Sequence, residues 1–389
     1  MLARRRAENY TFAMAAPPPA DERPAAVPLV PFPPRDPQGR DNHFNFLRLV
    51  LASLVILSHA PELLDGSRRR ELLSRLDGGT LSFGELAVDG FFLLSGFLIV
   101  QSWERQPRLG PYLRKRALRI YPGFVVAALV SAFVVGPLAA DARAYFAQFR
   151  PGAFLGGVLL LQRPAVPPVF AGLAYPEVNN ALWTIAYEFG CYLFVAAMGT
   201  LGFVKNRRGW LLVALAVLAY SSLPGHVTLG LPGGGTWEVA LRGAQGSACR
   251  LLAFFSVGGC FYLFRGEVRY RAGWAAVAAV VAAAGLGHAR SVQGAVGIAG
   301  GYLLFWFAFR RVRSLEFFQR HADVSYGVYL YGWPAISLLV WWRPGISPWT
   351  LFAAAWAASL VLGWMSWHAV ELPFLRLKPR HDPRDASPA

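Results

Sequence analysis

The sequence predicts an all-α integral membrane protein of about ten transmembrane helices with one short re-entrant or interfacial segment. Of the 389 residues, 55% are hydrophobic and only 15% are charged, and the mean hydropathy is +0.38. This is too apolar for an ordinary soluble domain, and apolar windows long enough to cross a bilayer recur along the chain. The net charge of +16 comes from basic residues between these windows, so it indicates membrane topology rather than nucleic-acid binding.

The apolar windows divide the chain into one membrane domain and two tails. Residues 1–40 are rich in Pro, Ala and Arg and are expected to form a disordered cytoplasmic tail. Residues 41–376 form the ten-helix membrane domain, and residues 377–389 form a second short cytoplasmic tail. The segment 154–162 is too short to cross about 30 Å as a helix, so it is the re-entrant or interfacial piece. The predicted spans are 44–61, 86–103, 121–140, 181–203, 210–223, 249–264, 272–288, 294–309, 325–342 and 349–368.

The distribution of basic residues predicts the orientation of these spans. Most of the 38 Lys and Arg residues lie in the two tails and in the loops on the same side. Under the positive-inside rule, this bias places both termini in the cytoplasm. A metal site is not expected, because neither the three cysteines nor the seven histidines show metal-ligand spacing.

The first span carries an arginine and a histidine on one predicted helix face. Arg48 and His59 are 11 positions apart, which is about three turns, and eight of the ten residues between them are apolar. Lipid tolerates such side chains poorly, so their face is expected to contact protein or a water-filled cavity. Alternatively, Arg48 is an interfacial anchor that reaches the headgroups, and His59 only marks the far membrane boundary.

Two carboxylates are also predicted at membrane depth. Asp89 lies near the outer end of the second span, and Glu188 lies about two turns, or roughly 10 Å, inside the fourth. An isolated carboxylate at that depth is costly unless it is paired or hydrated. We therefore expect both carboxylates to share one polar cavity with Arg48 and His59.

A basic loop follows the second span. Its sequence RQPRLGPYLRKRALRIYP contains Arg114, Lys115, Arg116 and Arg119, whose spacings place several cations on one helix face. Such a face binds phosphate well, because arginine can form two parallel hydrogen bonds to one group. We therefore predict that Arg114, Arg116 and Arg119 bind the phosphates of a ligand. The alternative is that the loop is basic only because it is cytoplasmic.

Several motifs together identify a family resemblance. In chain order they read FNFLRLVLASLVILSHA, VDGFFLLSGFLI, RKRALRIYP, NNALWTIAYEF and DVSYGVYLYGWP, and a terminal VELPF also fits. With these motifs in this order over about 42–375, the chain resembles the acyltransferase family 3 membrane proteins, which acylate carbohydrates and other exported molecules in bacteria. One departure is Gly332, where many relatives carry a histidine in a Tyr-Leu-x-His-x-Pro pattern.

The resemblance implies a donor, an acceptor and a set of site residues. The donor is acyl-CoA, most simply acetyl-CoA, on the cytoplasmic side of a bacterial inner membrane. The acceptor is a hydroxyl of a glycan or another exported molecule at the periplasmic face. Arg48 and His59 match the family's essential pair. Arg116 and Arg119 match its basic loop motif, and Glu188 matches the glutamate after its Leu-Trp-Thr.

Transfer from a thioester to a hydroxyl needs an activated nucleophile. Imidazole titrates near neutral pH, so His59 is suited to take the hydroxyl proton as a general base. Alternatively, His59 attacks first and carries the acyl group as an acyl-imidazole. We expect Glu188 or Asp89 to orient the ring, as a triad carboxylate does. Arg48 is expected to hold a CoA phosphate or to polarise the carbonyl.

Other functions are open at this point. One is a transporter or flippase of a glycan or a lipid-linked intermediate, although no internal repeat with matched broken helices is seen. Another is an acyltransferase that acts on a lipid or a small molecule. Tyr326, Tyr329 and Tyr331 of the ninth span either line an acceptor path or only pack against neighbouring helices.

Overall fold

The computed structural model describes residues 42–222, 236–288 and 291–377, and within them every regular element is helical. The predicted all-α class is therefore confirmed. The predicted tail 1–40 lies outside the described residues, as does the second tail apart from Leu377. The long helices are α1 (Phe44–Asp65), α2 (Phe83–Arg105), α3 (Leu109–Leu138), α4 (Asn180–Thr200), α5 (Arg207–Ser221), α6 (Thr236–Leu263), α7 (Ala272–Gly285), α8 (Val292–Ala308), α9 (Ser325–Trp342) and α10 (Pro348–Arg376).

Each of these long helices overlaps one predicted span. By length and composition, six helices in the described ranges can cross a membrane: α1 to α4, the Gly246–Leu263 part of α6, and α10. A seventh is obtained if α8 and the helix Arg313–Gln319, which meet at an angle of 87°, are counted as one span. Since α5 and α7 have only 15 and 14 residues, the number of ten spans stays a prediction.

The predicted re-entrant or interfacial segment coincides with a short helix, Pro151–Leu159, which has nine residues. Its Phe154 is buried and packs against Phe133 of α3, with ring centroids 5.7 Å apart. Nine helical residues rise about 14 Å, which is too little to cross a bilayer. The helix lies against α3, and its depth in the membrane stays a prediction.

Helix α1 is four residues longer than the predicted first span and ends at Asp65. It ends there because Gly66 adopts a left-handed φ of 67° and donates its N–H to the Glu62 carbonyl. A span that ended at residue 61 would leave Glu62 in the following loop. The extension instead places Glu62 on the helix, three residues after His59.

Glycines allow the central helices to approach closely, as small residues commonly do in membrane proteins. Gly96 of α2 and Gly258 of α6 each lie against a backbone carbonyl of the facing helix. Gly332 of α9 packs on α1, and a Cβ there would lie 2.9 Å from Ile56 Cγ1. A histidine at position 332 would therefore require the Ile56 side chain to shift or α1 and α9 to move apart.

Helix α1 lies at the centre of the site-bearing half of the bundle. It packs against α2, α9 and α10, while α4 packs against α2 and α3. This arrangement leaves space on both sides of the contact between α2 and α9. One cavity consequently opens near the start of α1 and another near its end.

Candidate active site

The first cavity has a volume of about 450 Å³ and lies where α1 and α3 begin and α2 ends. We call it the cationic cavity, because its charged lining consists of one carboxylate, Glu188, and five cationic side chains. Four of the cations come from the predicted basic loop and one comes from α1. They are Arg48, Arg105, Lys115, Arg116 and Arg119.

Asp323, just before α9, holds two of these arginines in place. Its Oδ2 lies 3.2 Å from Nη1 of Arg48 and 2.9 Å from Nη2 of Arg119. Arg119 also reaches Glu371, with 3.5 Å between Nη1 and Oε2. Burial raises the pKa of Asp323, but Arg119 and Arg48 outweigh it and hold this pKa below its usual value. Asp323 therefore stays ionised and fixes both guanidinium groups in the cavity wall.

Arg116 differs from these two arginines, because it has no carboxylate partner within the described residues. Its Nη2 donates to Ser102 Oγ at 3.1 Å, and its guanidinium lies 5.8 Å from the centre of the Tyr192 ring. Its buried Nε has no hydrogen-bond partner in the described part of the chain. A half-buried cation without a carboxylate partner is suited to an anionic ligand. Arg114, by contrast, does not line the cavity and donates to the Leu377 carbonyl at 3.4 Å.

The second cavity has a volume of about 500 Å³ and contains His59, near the end of α1. We call it the histidine cavity. The His59 Nδ1 lies 3.0 Å from Glu62 Oε2, and the edge of Trp333 packs on the imidazole with ring centroids 5.0 Å apart. The charged side chains that line this cavity are His59, Glu62, Arg68, Glu85 and Arg250.

Glu62 is itself held by a network of polar side chains. Its Oε1 accepts from Arg68 Nε at 3.1 Å and from the Tyr175 hydroxyl at 3.3 Å. Arg68 continues to Glu85, with 2.9 Å between Nη1 and Oε1. Burial opposes the charge on Arg68, but Glu85 and Glu62 raise its pKa above the usual value. Arg68 therefore stays cationic and keeps the Glu62 carboxylate oriented toward His59.

The two carboxylates expected beside His59 have other partners. Glu188 Oε1 accepts from Ser95 Oγ at 3.0 Å and from the Tyr192 hydroxyl at 2.5 Å, in the cationic cavity. Asp89 is 2% exposed and pairs with Arg250, with 3.4 Å between Oδ2 and Nη1. The expectation that Asp89 or Glu188 orients the imidazole is therefore wrong, because Glu62 occupies that position.

The single predicted polar cavity is also wrong, because its four residues line three different cavities, and Asp89 lies in the third of them with Arg250. Arg48 and Glu188 lie in the cationic cavity with Arg116 and Arg119, whereas His59 lies in the histidine cavity. The cause is the geometry of α1, which separates positions 48 and 59 by about 16 Å along its axis. Each end of the same helix face consequently meets different neighbours.

Sequence reasoning missed Glu62 and Asp323. The spacing of Glu62 from His59 could have indicated their contact, because residues three apart on a helix are neighbours. No local spacing indicated the contact between Asp323 and Arg48, since the two residues are 275 positions apart in the chain. Only the packing of α9 beside α1 brings these two side chains together.

The arrangement around His59 suits acid–base or nucleophilic chemistry. A carboxylate that accepts from Nδ1–H leaves the lone pair of a neutral imidazole on Nε2. Nε2 has no partner within the described residues and can accept a proton or attack a carbonyl. The cationic cavity, about three helical turns away, suits a polyanionic ligand instead.

Comparisons with known proteins agree with these features. Residues 41–368 match the family model described as an acyltransferase domain. The chain is 27% identical to the O-acetyl transferase of Shigella phage Sf6 over 346 residues, which cover 86% of this chain and 96% of the phage protein. It is 24% identical to nodulation protein 10 of Rhizobium leguminosarum bv. viciae over 375 residues, covering 87% of this chain and 95% of that protein. No solved structure matches the chain significantly.

Proposed function

This chain belongs to the acyltransferase family whose domain model spans residues 41–368, and from that premise we propose that it transfers an acyl group from cytoplasmic acyl-CoA to a hydroxyl of a glycan or another exported acceptor. In this proposal the protein lies in the bacterial inner membrane with both termini in the cytoplasm, and the acceptor binds at the periplasmic face. The name of the phage relative supports acetyl as the acyl group. The family membership favours this reaction over transport.

The observation that carries the proposal is the division of the site into two cavities of different charge. CoA is polyanionic, and the cationic cavity presents five cations and one carboxylate. A sugar hydroxyl is neutral, and the histidine cavity balances two carboxylates with two arginines around His59. Phosphate groups bind most strongly to arginine-rich sites, whereas a neutral polyol requires no excess of either charge in its binding site.

The donor is held by the basic side chains near the start of α3. Arg116 lines the cavity without a carboxylate partner among the described residues, so its guanidinium group can bind a phosphate oxygen, while Arg48 and Arg119 are held rigidly by Asp323. Lys115, which hydrogen-bonds to Gln106, adds a further cation at the same level. The pantetheine arm is uncharged and thin, so it can extend between the helices toward His59 while the nucleotide stays at the basic residues.

The transfer step follows from the His59 tautomer. Nε2 takes the proton of the acceptor hydroxyl as the hydroxyl oxygen attacks the thioester carbonyl carbon. The tetrahedral intermediate collapses, the C–S bond breaks, and the CoA thiolate leaves and takes up the proton from His59 Nε2, which restores the neutral imidazole. The products are an O-ester and CoA. Glu62 stabilises the imidazolium that forms, as the carboxylate of a catalytic triad does.

Membrane vesicles of defined orientation test this proposal. Inside-out and right-side-out vesicles are prepared from cells of the native host, whose membranes carry the natural acceptor. Radiolabelled acetyl-CoA is added to the outside, and label is measured in the glycan fraction. Because CoA is too polar to cross a bilayer, we expect incorporation only in inside-out vesicles, where the basic α2–α3 loop faces the added donor.

Two controls define the outcome. Vesicles with His59→Ala should incorporate no label in either orientation, and detergent should remove the difference between orientations for the unmodified protein. Equal incorporation by both kinds of intact vesicle would contradict the proposed direction of transfer. Absence of incorporation from all preparations of the unmodified protein would contradict acetyl-CoA as the donor.

A further inference from the structure

Only two described residues line both cavities: Val88 of α2 and Tyr329 of α9. Each of them is 8% exposed. The two side chains therefore form part of the wall between the cationic cavity and the histidine cavity, and a group that crosses this wall passes beside Val88 and Tyr329.

The ring of Tyr329 is held in place at this position. Its hydroxyl donates to the Ala181 carbonyl at 2.9 Å and lies 2.7 Å from Thr184 Oγ1. A phenol has one hydrogen, so Thr184 is the donor in the second bond. Phe91 packs its edge against the ring, with centroids 5.8 Å apart. The Tyr329 ring of α9 is therefore held against the start of α4, and its hydroxyl has no proton left to donate to a substrate.

We propose that Tyr329 and Val88 form the constriction through which the acyl end of the donor reaches His59, and that this constriction selects short acyl chains. The inference rests on the proposed function, in which the donor enters the cationic cavity. It adds a specificity role for two residues that form no hydrogen bond or ring contact with His59 or a phosphate-binding cation in the described part of the chain. It also assigns Tyr329 to the acyl path, whereas its neighbour Tyr331 lines neither cavity.

The physical reason is the close packing of buried side chains. Interiors at this density do not admit additional methylene groups without displacing side chains or backbone. An acetyl group is the smallest acyl group with a carbon chain, so it requires the least displacement of Tyr329. Because the pantetheine arm itself occupies the constriction in the reacting complex, the four additional methylenes of a hexanoyl group must find their space beside it. They therefore require the Tyr329 ring to leave its hydrogen bonds with Thr184 and Ala181.

Competition between two donors tests the constriction. Inside-out vesicles receive equal concentrations of acetyl-CoA and hexanoyl-CoA, and mass spectrometry measures the ratio of hexanoyl to acetyl esters on the glycan. We expect the unmodified protein to form almost only acetyl esters. Tyr329→Ala should raise the ratio at least about tenfold, since a single methylene in a tight site already changes rates by about tenfold or more. Val88→Ala, which widens the opposite wall, should raise it by about threefold.

A matched control separates this role from a general loosening of the protein. Tyr331 is on the same helix and is 5% exposed, so Tyr331→Ala removes a similarly buried ring. It should leave the ester ratio unchanged, even if the thermal unfolding temperature in detergent falls as much as for Tyr329→Ala. If Tyr329→Ala does not fold, Val88→Ala carries the test alone.

The outcomes also separate this inference from the proposed function. Acetyl transfer by the unmodified protein with ratios that stay unchanged in every folded Tyr329 and Val88 variant would overturn the constriction and leave the proposed function intact. An equal rise of the ratio in Tyr331→Ala would overturn it too, because the effect would not depend on the acyl path. Absence of any acyl transfer by the unmodified protein would overturn both.

Discussion

The cationic cavity and the histidine cavity share four helices, yet their charges are arranged differently, because α3 adds three cations to the first and α6 adds Arg250 to the second. Both have walls from α1, α2, α4 and α9. In the cationic cavity, five cations face one lining carboxylate, so positive charge is in excess. In the histidine cavity, Glu62 and Glu85 alternate with Arg68 and Arg250, so the two carboxylates and the two arginines around His59 balance.

The difference shows how one bundle can hold two chemically unlike ligands. Buried charge is costly unless it is compensated, so an excess of cations is stable only with an anionic ligand or with carboxylates behind the wall. Asp323 and Glu371 supply part of the compensating negative charge without lining the cavity, and an anionic ligand can supply the remainder. The histidine cavity needs no such ligand. The four variants that follow act on one cavity at a time.

The largest effect is expected from His59→Ala. Loss of a general base or nucleophile should lower kcat by about 10³-fold. Binding of radiolabelled CoA to membranes should stay within about twofold of the unmodified value, because the cationic cavity is unchanged. Substantial acyl transfer by a folded His59→Ala protein would remove His59 from the catalytic step. A parallel loss of CoA binding would show that the two cavities do not act separately.

The next effect, on stability, is expected from Asp323→Asn. Removing the carboxylate that pairs with Arg48 and Arg119 should destabilise the protein by about 3 kcal/mol, since a buried pair loses one partner. Glu267→Gln is the control, because its pair with Arg207 is about half exposed and contributes less than about 1 kcal/mol. The measurement is thermal unfolding in detergent at pH 7.

The same aspartate predicts a pH dependence of stability. Its folded-state pKa lies below the usual value, so its contribution is fully present above the ordinary Asp pKa of about 3.9. The contribution is lost as the pH falls through the lowered pKa. The unfolding temperature of the unmodified protein should therefore fall over that range more steeply than that of Asp323→Asn. Parallel curves for the two proteins would contradict this assignment.

A smaller effect on activity is expected from Glu62→Gln. The amide keeps an acceptor beside His59 but loses the charge that stabilises the imidazolium, so kcat should fall by about 10- to 100-fold with little change in either KM. Glu62→Asp should recover part of kcat. Glu85→Gln removes another carboxylate that pairs with Arg68, but it does not contact His59. If Glu85→Gln lowers kcat as much as Glu62→Gln, the carboxylates act on the structure of the cavity and not on His59.

The residues of the two cavities also show what the sequence can and cannot predict. The all-α membrane class followed from composition, because a bilayer admits helices whose side chains are mostly apolar. Arg116 and Arg119 of the first cavity were found for a similar reason, since they are close in sequence and share one helix, whereas Arg114 of the same prediction does not line the cavity. Local spacing was sufficient for such features.

The partners of these cations depended on long-range packing and were not found. Asp323 meets Arg48 only because α9 lies beside α1, and the sequence contains no local pattern that pairs them. Glu62 was missed for a different reason, because the predicted first span stopped at residue 61. The helix continues through Pro61 to Asp65, and one further turn changes which carboxylate faces His59. Helix boundaries are among the least certain features of a sequence prediction, and here a boundary determined which carboxylate was expected beside His59.

The smallest of the four effects is expected from Arg116→Gln, and it tests the cationic cavity without disturbing His59. Arg116 is preferable to Arg119 for this purpose, because loss of Arg119 would leave Asp323 and Glu371 less compensated. If the Arg116 guanidinium binds a donor phosphate, the KM for acetyl-CoA should rise by about tenfold, which corresponds to one charge-assisted hydrogen bond. The dependence of the rate on acceptor concentration and the kcat at saturating donor should stay nearly unchanged.

Arg114→Gln is the matched control: it removes the same charge from the same helix two residues earlier, but Arg114 does not line the cavity and bonds to the Leu377 carbonyl. Its donor KM should change by less than about twofold. Equal shifts in both variants would indicate a general electrostatic effect of a basic cytoplasmic loop, and an unchanged KM in Arg116→Gln would leave the loop only its role in membrane topology.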